Sequence, residues 1–227
     1  MKNLKKPLLG AIATLLTAGA VVAHADVRIT EVAPWGSGNS SVGADWFELT
    51  NTGTSALNIT NWKVDDNSNS FASAVALNNV TSIAAGQSVV FIEGNATTAA
   101  SFTANWFGAD VPAGFAIGYY SGSGLGLSAT SDAVNIFNAS GVVQARVTFG
   151  ASDSSSPYQT FDNAAGLDNS LITQLSVAGT NGAFVASNSA IEIGSPGTIA
   201  AVPEPETHAM LLAGLGLIGA IARKRQR

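Results

Sequence analysis

The chain of 227 residues contains no cysteine, and its only two histidines, His24 and His208, sit in the end segments. The body between them therefore has neither thiolate nor imidazole. Ser-His-Asp and Cys-His catalysis and the usual zinc sites each need one of those groups as base, nucleophile or ligand, and all are excluded. Without cysteine there are also no disulfides from which to read a compartment. Cations are scarce as well. Seven of the ten lie at the extremes, Lys2, Lys5 and Lys6 at the start and Arg223, Lys224, Arg225 and Arg227 at the finish. From Asp26 to Val202 only Arg28, Lys63 and Arg146 remain against thirteen carboxylates, a net charge of −10. Phosphate backbones are bound by clustered Lys and Arg, so no nucleic-acid partner is expected.

What is present begins with two addresses. Residues 1–25 run from three lysines through an apolar stretch, Leu8 to Val22, to Ala23-His24-Ala25. This is the order of a secretory signal peptide, with signal peptidase expected to cut between Ala25 and Asp26. An uncleaved anchor is the alternative, but the apolar run is short for one. At the other end, Pro203-Glu204-Pro205 precedes thirteen uncharged residues, Met210 to Ala222, and then the basic cluster Arg223-Lys224-Arg225. As a helix those thirteen residues rise about 20 Å, less than the roughly 30 Å of a hydrocarbon core. Snorkelling cations and local thinning permit a transient inner-membrane span with the basic end cytoplasmic.

In combination and order, this Pro-Glu-Pro tripeptide, short Leu/Gly/Ala helix and terminal Arg/Lys cluster resemble the PEP-CTERM sorting signal. The resemblance implies a bacterial exported protein handled by an exosortase, in organisms that build an extracellular polysaccharide matrix. In that picture residues 199–227 are a processing substrate rather than an active site, and the protein is destined for the envelope surface or the matrix. An ordinary C-terminal anchor is the alternative.

Residues 26–198 show short runs of period two separated by Gly, Asn, Asp and Ser clusters, with almost no helical periodicity. Strands are expected at Val27 to Ala33, Trp46 to Asn51, Asn61 to Val64, Ser88 to Glu93, Ala116 to Tyr120, Asp132 to Phe137, Val142 to Phe149 and Leu171 to Val177. Turn chemistry falls between them at Asn51-Thr-Gly53, Ala85-Gly86-Gln87 and Asn138-Ala-Ser-Gly141. Half-polar sheets of this kind bury their apolar faces against one another, so an all-β sandwich is expected, with a barrel as the alternative.

The body also resembles the lamin tail domain family, an immunoglobulin-like sandwich. The matching segments are Ile29-Thr-Glu-Val32, Asp45-Trp-Phe-Glu-Leu-Thr-Asn-Thr-Gly53, Leu57 to Asp66, Ile83 to Phe91, Asp132 to Phe137, and the closing Ser195-Pro196-Gly197. Two departures stand out: Asn61 occupies a position usually held by Gly, and Ala96 to Ser131 has no clear counterpart. The resemblance implies a binding or structural module and brings no catalytic residues with it.

Three sets of residues are candidate sites. Asp65-Asp66-Asn67-Ser68-Asn69 supplies several oxygens at close spacing, as calcium requires. Ser70 and Ala76 break the EF-hand template, however, and an Asx-rich turn explains the same residues. Calcium is the one cofactor entertained, and electrostatics favour it because a body at −10 gains from a divalent counter-ion. Trp35, Trp106, Phe107, Tyr119 and Tyr120 lie in or beside Gly-rich segments, where rings can stack on sugars of an exopolysaccharide or surface glycan, whereas Trp46 and Trp62 read as core. Glu31 and Glu48 sit in apolar strand contexts. A carboxylate pair could hydrolyse glycosides, or each could be satisfied by backbone amides or by Arg28 or Arg146. Five Asn-x-Ser/Thr sequons, at Asn39, Asn58, Asn79, Asn95 and Asn138, read as Asn/Thr-rich β surface beside a bacterial sorting tail. The expectation is an exported, non-enzymatic structural, adhesive or binding module.

Overall fold

The structure, a computed structural model, describes residues 27–122 and 125–198. In chain order it runs β1 (Val27–Ala33), the single turn α1 (Gly36–Asn39), β2 (Trp46–Asn51), β3 (Leu57–Asn58), β4 (Lys63–Asp65), β5 (Val75–Ala76), β6 (Ser82–Ile83) and β7 (Ser88–Glu93). After α2 (Ala96–Phe107) come β8 (Ile117–Tyr120), β9 (Asp132–Phe137), β10 (Val143–Phe149), β11 (Tyr158–Gln159), β12 (Phe161–Asp162), β13 (Ser170–Ile172), β14 (Phe184–Val185) and β15 (Glu192–Gly194).

Two five-stranded sheets form the sandwich, in the orders β12-β1-β2-β7-β8 and β13-β10-β9-β4-β5. The main core lies between them, built from inward residues such as Ile29, Phe47, Leu49 and Phe91 of the first sheet and Val64, Val134, Ile136 and Val147 of the second. Alternation along each strand dictates this: in β10, Ala145, Val147 and Phe149 are buried while Gln144, Arg146 and Thr148 are half-exposed. Val143 is exposed instead of joining that face, because the register of β10 against β9 shifts between Val143 and Ala145. Burying one apolar face per sheet is what turns weak strands into a stable layer pair.

The first sheet is buried on both faces. Its outer face carries Ala33, Trp46, Val90 and Ile92, which pack with Phe102, Trp106 and Phe107 of α2. The remainder is covered by the small sheet β11-β15-β14 and the chain that follows it. Helix α2 joins β7 to β8, which run parallel, so it is the crossover that a parallel pair demands. The chain is otherwise almost free of helix, as its period indicates, and α2 is the one long helix among the described residues. It begins at Asn95, whose side chain accepts from the amides of Thr97 and Thr98 while the Thr98 hydroxyl accepts from the Asn95 amide. It buries Ala99, Phe102 and Trp106, spaced three and four residues apart.

Smaller corrections concern strand ends. The fourth strand starts at Lys63 rather than Asn61, because Asn61 takes a left-handed φ of 62° in the preceding turn. That conformation is open to Gly and Asn, which accounts for Asn where the family has Gly. The strand expected from Leu171 to Val177 shortens to Ser170–Ile172, since the chain then leaves the second sheet and bridges to Phe161 of the first through Leu175.

Candidate functional site

In β1 the register against β2 shifts between Ile29 and Glu31, a bulge that swings Thr30 aside and sets Glu31 directly opposite Glu48. Both side chains lie on the outer face of the first sheet and are buried. The chain's own closing turn covers them. The Ser195 amide donates to Glu31 Oε1 at 2.7 Å and the Gly197 amide to Glu48 Oε2 at 2.6 Å. Hydroxyls supply the other donors: Thr160 to Glu31 Oε1 at 2.5 Å and Thr30 to Glu48 Oε1 at 2.6 Å. Thr30 is further linked to Thr50 at 2.8 Å, and Thr50 to Ser88 at 2.5 Å. Glycine is required at 194, where a Cβ would stand 2.6 Å from Glu31 Oε1.

Burial pushes the Glu31 carboxyl up to about 8, with the neighbouring Glu48 charge adding to the shift and the Thr160 and Ser195 bonds opposing it. Burial likewise raises Glu48 to about 7 against the bonds from Thr30 and Gly197. Both of Glu31's donors fall on one oxygen, and Oε2 has no partner among the described residues. The pair therefore holds a proton near neutrality, since two adjacent buried carboxylates with no cation against them among the described residues cannot both ionise cheaply. Arg28 and Arg146 do not provide the compensation: Arg28 pairs with Asp168 at 3.4 Å, and Arg146 lies on the second sheet. The space beside Glu48, lined also by Thr30, Thr50, Asp162, Ser195 and Thr198, is about 10 Å³, enough for about one water molecule. Both carboxyls, the pair considered for glycoside hydrolysis, are closed off from solvent.

The aromatic candidates are placed differently from expectation. Trp35, Trp106, Phe107 and Tyr120 are buried, and Tyr119 is half-buried. Trp35 stacks on Tyr158 at 5.5 Å and donates its ring N–H to the Gln159 carbonyl at 2.8 Å. Trp106 stands edge-on to Trp46 at 5.6 Å and to Phe184 at 5.7 Å. Tyr120 packs with Phe47 at 5.5 Å, and burial pushes its hydroxyl well above the usual range. Trp35, Trp106 and Phe107 face the interior because the first sheet has a second buried face, which strand alternation alone does not disclose, and Tyr120 points into the main core between the sheets. Trp46 and Trp62 are core, as read from their strands.

At the calcium candidates, Asp65 is buried and its oxygens accept from Ser68 Oγ at 2.6 Å, the Ser70 amide at 2.7 Å and Ser73 Oγ at 3.0 Å. Asp66 closes an Asx turn onto the Ser68 amide at 2.9 Å, the Asn67 amide donates to Asp132, and Asn69 has a left-handed φ of 49°. Among the described residues no group of three acidic or histidine side chains is placed to hold a metal. Four of the sequon asparagines have local roles: Asn58 and Asn138 accept from amides two residues on, Asn95 caps α2, and Asn39 donates to the Trp35 carbonyl four residues back.

A site missed at the sequence level is an open groove of about 380 Å³ where the two sheets' edge strands β12 and β13 meet. It is lined by Asp162, Gln174 and Asn181 together with Leu167 and Leu171. Asn181 donates to Asp162 Oδ2 at 2.9 Å, and Leu171 is 58% exposed. Only the alternation of Leu171 and Ile172 hinted at it.

The cleavage residues Ala23, Ala25 and Asp26 and the sorting residues Pro203, Glu204, Pro205, Arg223, Lys224 and Arg225 lie outside the described residues. Among the described residues no helix is long and apolar enough to cross a membrane. No curated protein matches the chain. The lamin tail domain model matches residues 20–151, more than half of it, and the PEP-CTERM protein-sorting motif matches residues 201–226. The sandwich extends past the matched segment, since β12 and β13 complete both sheets. The chain thus belongs to the lamin tail domain family and carries a C-terminal PEP-CTERM sorting motif, which marks it as an exported, exosortase-processed protein of the cell envelope or surface.

Proposed function

We propose that the domain is a non-catalytic module, displayed at the cell surface or in the surrounding matrix, whose role is structural and adhesive. The observation that carries this reading is the use made of its paired acids. Glu31 and Glu48, the carboxyls best suited to chemistry, are sealed under the chain's own closing turn and bonded to its amides. With no histidine or cysteine in the body, nothing else supplies a nucleophile with its base.

The β12/β13 groove supports a glycan ligand better than the aromatic residues do. Carboxylate and carboxamide groups at Asp162, Gln174 and Asn181 match sugar hydroxyls, and Leu167 and Leu171 match the apolar face of a pyranose. Its volume falls within the roughly 300–1,000 Å³ typical of small-ligand sites. A body at −10 selects a neutral polymer over an acidic one. The test is binding of the secreted chain to the host's own exopolysaccharide, with Leu171→Asp as the variant. Binding by the wild type and its loss in Leu171→Asp at unchanged melting temperature are expected. Absence of binding by the wild type would refute the glycan part of the reading, and glycan turnover by the wild type would refute the non-catalytic part.

A further inference from the structure

The last described residues, Ser195 to Thr198, dock through amide bonds to the two glutamates and through the buried Pro196. Beyond those two amide bonds, Thr198 folds back on the Ser195 carbonyl, and Gly197 and Thr198 approach Phe115 and Gly182. The turn also closes over the pair through its two amides, and its Ser195 and Thr198 line the small cavity beside Glu48. Docking of the turn and the protonation state of the pair are therefore linked.

We propose that Glu31 and Glu48 form a proton-dependent latch for the closing turn, which stays docked while the pair holds a proton and lets go when both carboxyls ionise. The amides of Ser195 and Gly197 favour the charged form and burial disfavours it. Burial wins, since both carboxyls are raised above the ordinary range of about 4.5. Once the turn leaves, water restores that ordinary range, so the docked state binds protons more tightly than the released state. Docking is strongest below about pH 4.5, weakens as pH rises from there through about 7 to 8, and levels off above that.

The surroundings do not reverse this sign. On β1 the cation Arg28 is engaged with Asp168, and β12 adds Asp162 to the wall of the same cavity. On β15, Glu192 is occupied by the Ser41 amide at 3.2 Å and Asn105 Nδ2 at 2.6 Å. From β7 come the neutral Ser88 and, at the far end, Glu93, itself raised by burial. Helix α2 carries no charge at all. Among the described residues every ionisable neighbour named here except Arg28 is acidic, so each further ionisation adds repulsion.

The latch matters because the sorting motif comes directly after it in the chain. Pro203 lies five residue steps beyond Thr198 in sequence, against nine beyond Gly194. Whatever path those residues take, the sorting motif lies within at most about 17 Å of a docked domain and about 31 Å of a released one. The latch therefore sets how closely a processing enzyme must approach the folded sandwich.

Hydrogen exchange of the secreted chain tests this directly. Between pH 5 and pH 8, after correction for intrinsic rates, protection of the Ser195 and Gly197 amides is expected to fall about tenfold per pH unit for each proton released, and to level off above that range. Protection in β9 should stay constant. Glu31→Gln, which keeps an acceptor but cannot ionise, should flatten the dependence. Should that variant fail to fold, Thr160→Val serves instead: it removes a donor to the ionised form and should move the midpoint upward. Protection of the turn that does not vary with pH in the wild type overturns the proposal, as does a loss shared equally by β9.

Discussion

Replacing Trp106 by alanine separates the two roles its position could have, anchor of the fold or platform for a sugar. The ring is 1% exposed and is enclosed by Trp46, Phe102 and Phe184 at centroid distances of 5.6 to 5.7 Å. Burying up to about 250 Å² at about 25 cal/mol per Å² sets a ceiling near 6 kcal/mol. That ceiling assumes a fully extended unfolded chain, and large-to-small changes at aromatic core positions cost about 3–5 kcal/mol. The cavity also undercuts α2, whose other large buried contacts on the sheet are Phe102 and Phe107. Against a typical domain stability of about 5–15 kcal/mol this is a large fraction, and in a domain of this size it lowers Tm by roughly 10 °C. Urea unfolding with calorimetry measures it, and Trp106→Phe should recover about half the loss. A loss below about 1 kcal/mol, or lost glycan binding at full stability, would show that the ring faces a ligand and that the packing argument is wrong.

Three further outcomes are expected. Global stability should decline from about pH 4.5 to about pH 8, because Glu31, Glu48 and Asp45 have folded-state pKa values raised above their unfolded ones; such groups stabilise fully below the unfolded value and lose that contribution as pH passes the folded one, at about 1.4 kcal/mol per pH unit per proton. Urea titrations across this range check it, and a stability that rises toward pH 8 contradicts it. Asp65→Ala strands donors from Ser68, Ser70 and Ser73 and should cost about 1–3 kcal/mol by thermal melting. In the wild type those donors occupy the oxygens calcium would need, so millimolar calcium should leave Tm unchanged; a rise of several degrees would restore the calcium site. Gly36→Ala should destabilise by about 1–3 kcal/mol in the same melting assay, since the new Cβ would collide with the Ala44 carbonyl oxygen.

The main strands were legible because alternation survives where one face is polar. Val27 to Ala33, Trp46 to Asn51, Ser88 to Glu93 and Asp132 to Phe137 have the ends that period and turn residues indicated. Helix α2 was not legible: its four β-branched or hydroxyl residues, Thr97, Thr98, Ser101 and Thr103, are poor helix formers, and it lacks the charged face that advertises an amphipathic helix. The capping pair Asn95 and Thr98 was the available signal, hidden in a segment rich in both residue types. The carboxyl pair was half legible. Both glutamates were visible in apolar strands and amides as their partners were one stated option, but their facing register depends on the Thr30 bulge, which no period reveals. The partners from the closing turn lie 164 and 149 residues away. Nothing local encodes such a distance.

The first strand's dependence on late partners has a kinetic consequence. β1 follows the expected cleavage site, yet it pairs with β12 and its Glu31 is capped only by Ser195 and Thr160. Closing loops of that length is slow, so the early chain can form the β1-β2-β7 ribbon but cannot finish either sheet until nearly every residue is available. A polypeptide emerging N-terminus first through an export channel thus remains threadable for most of its passage. It becomes a completed sandwich only when the segment beside the sorting motif arrives.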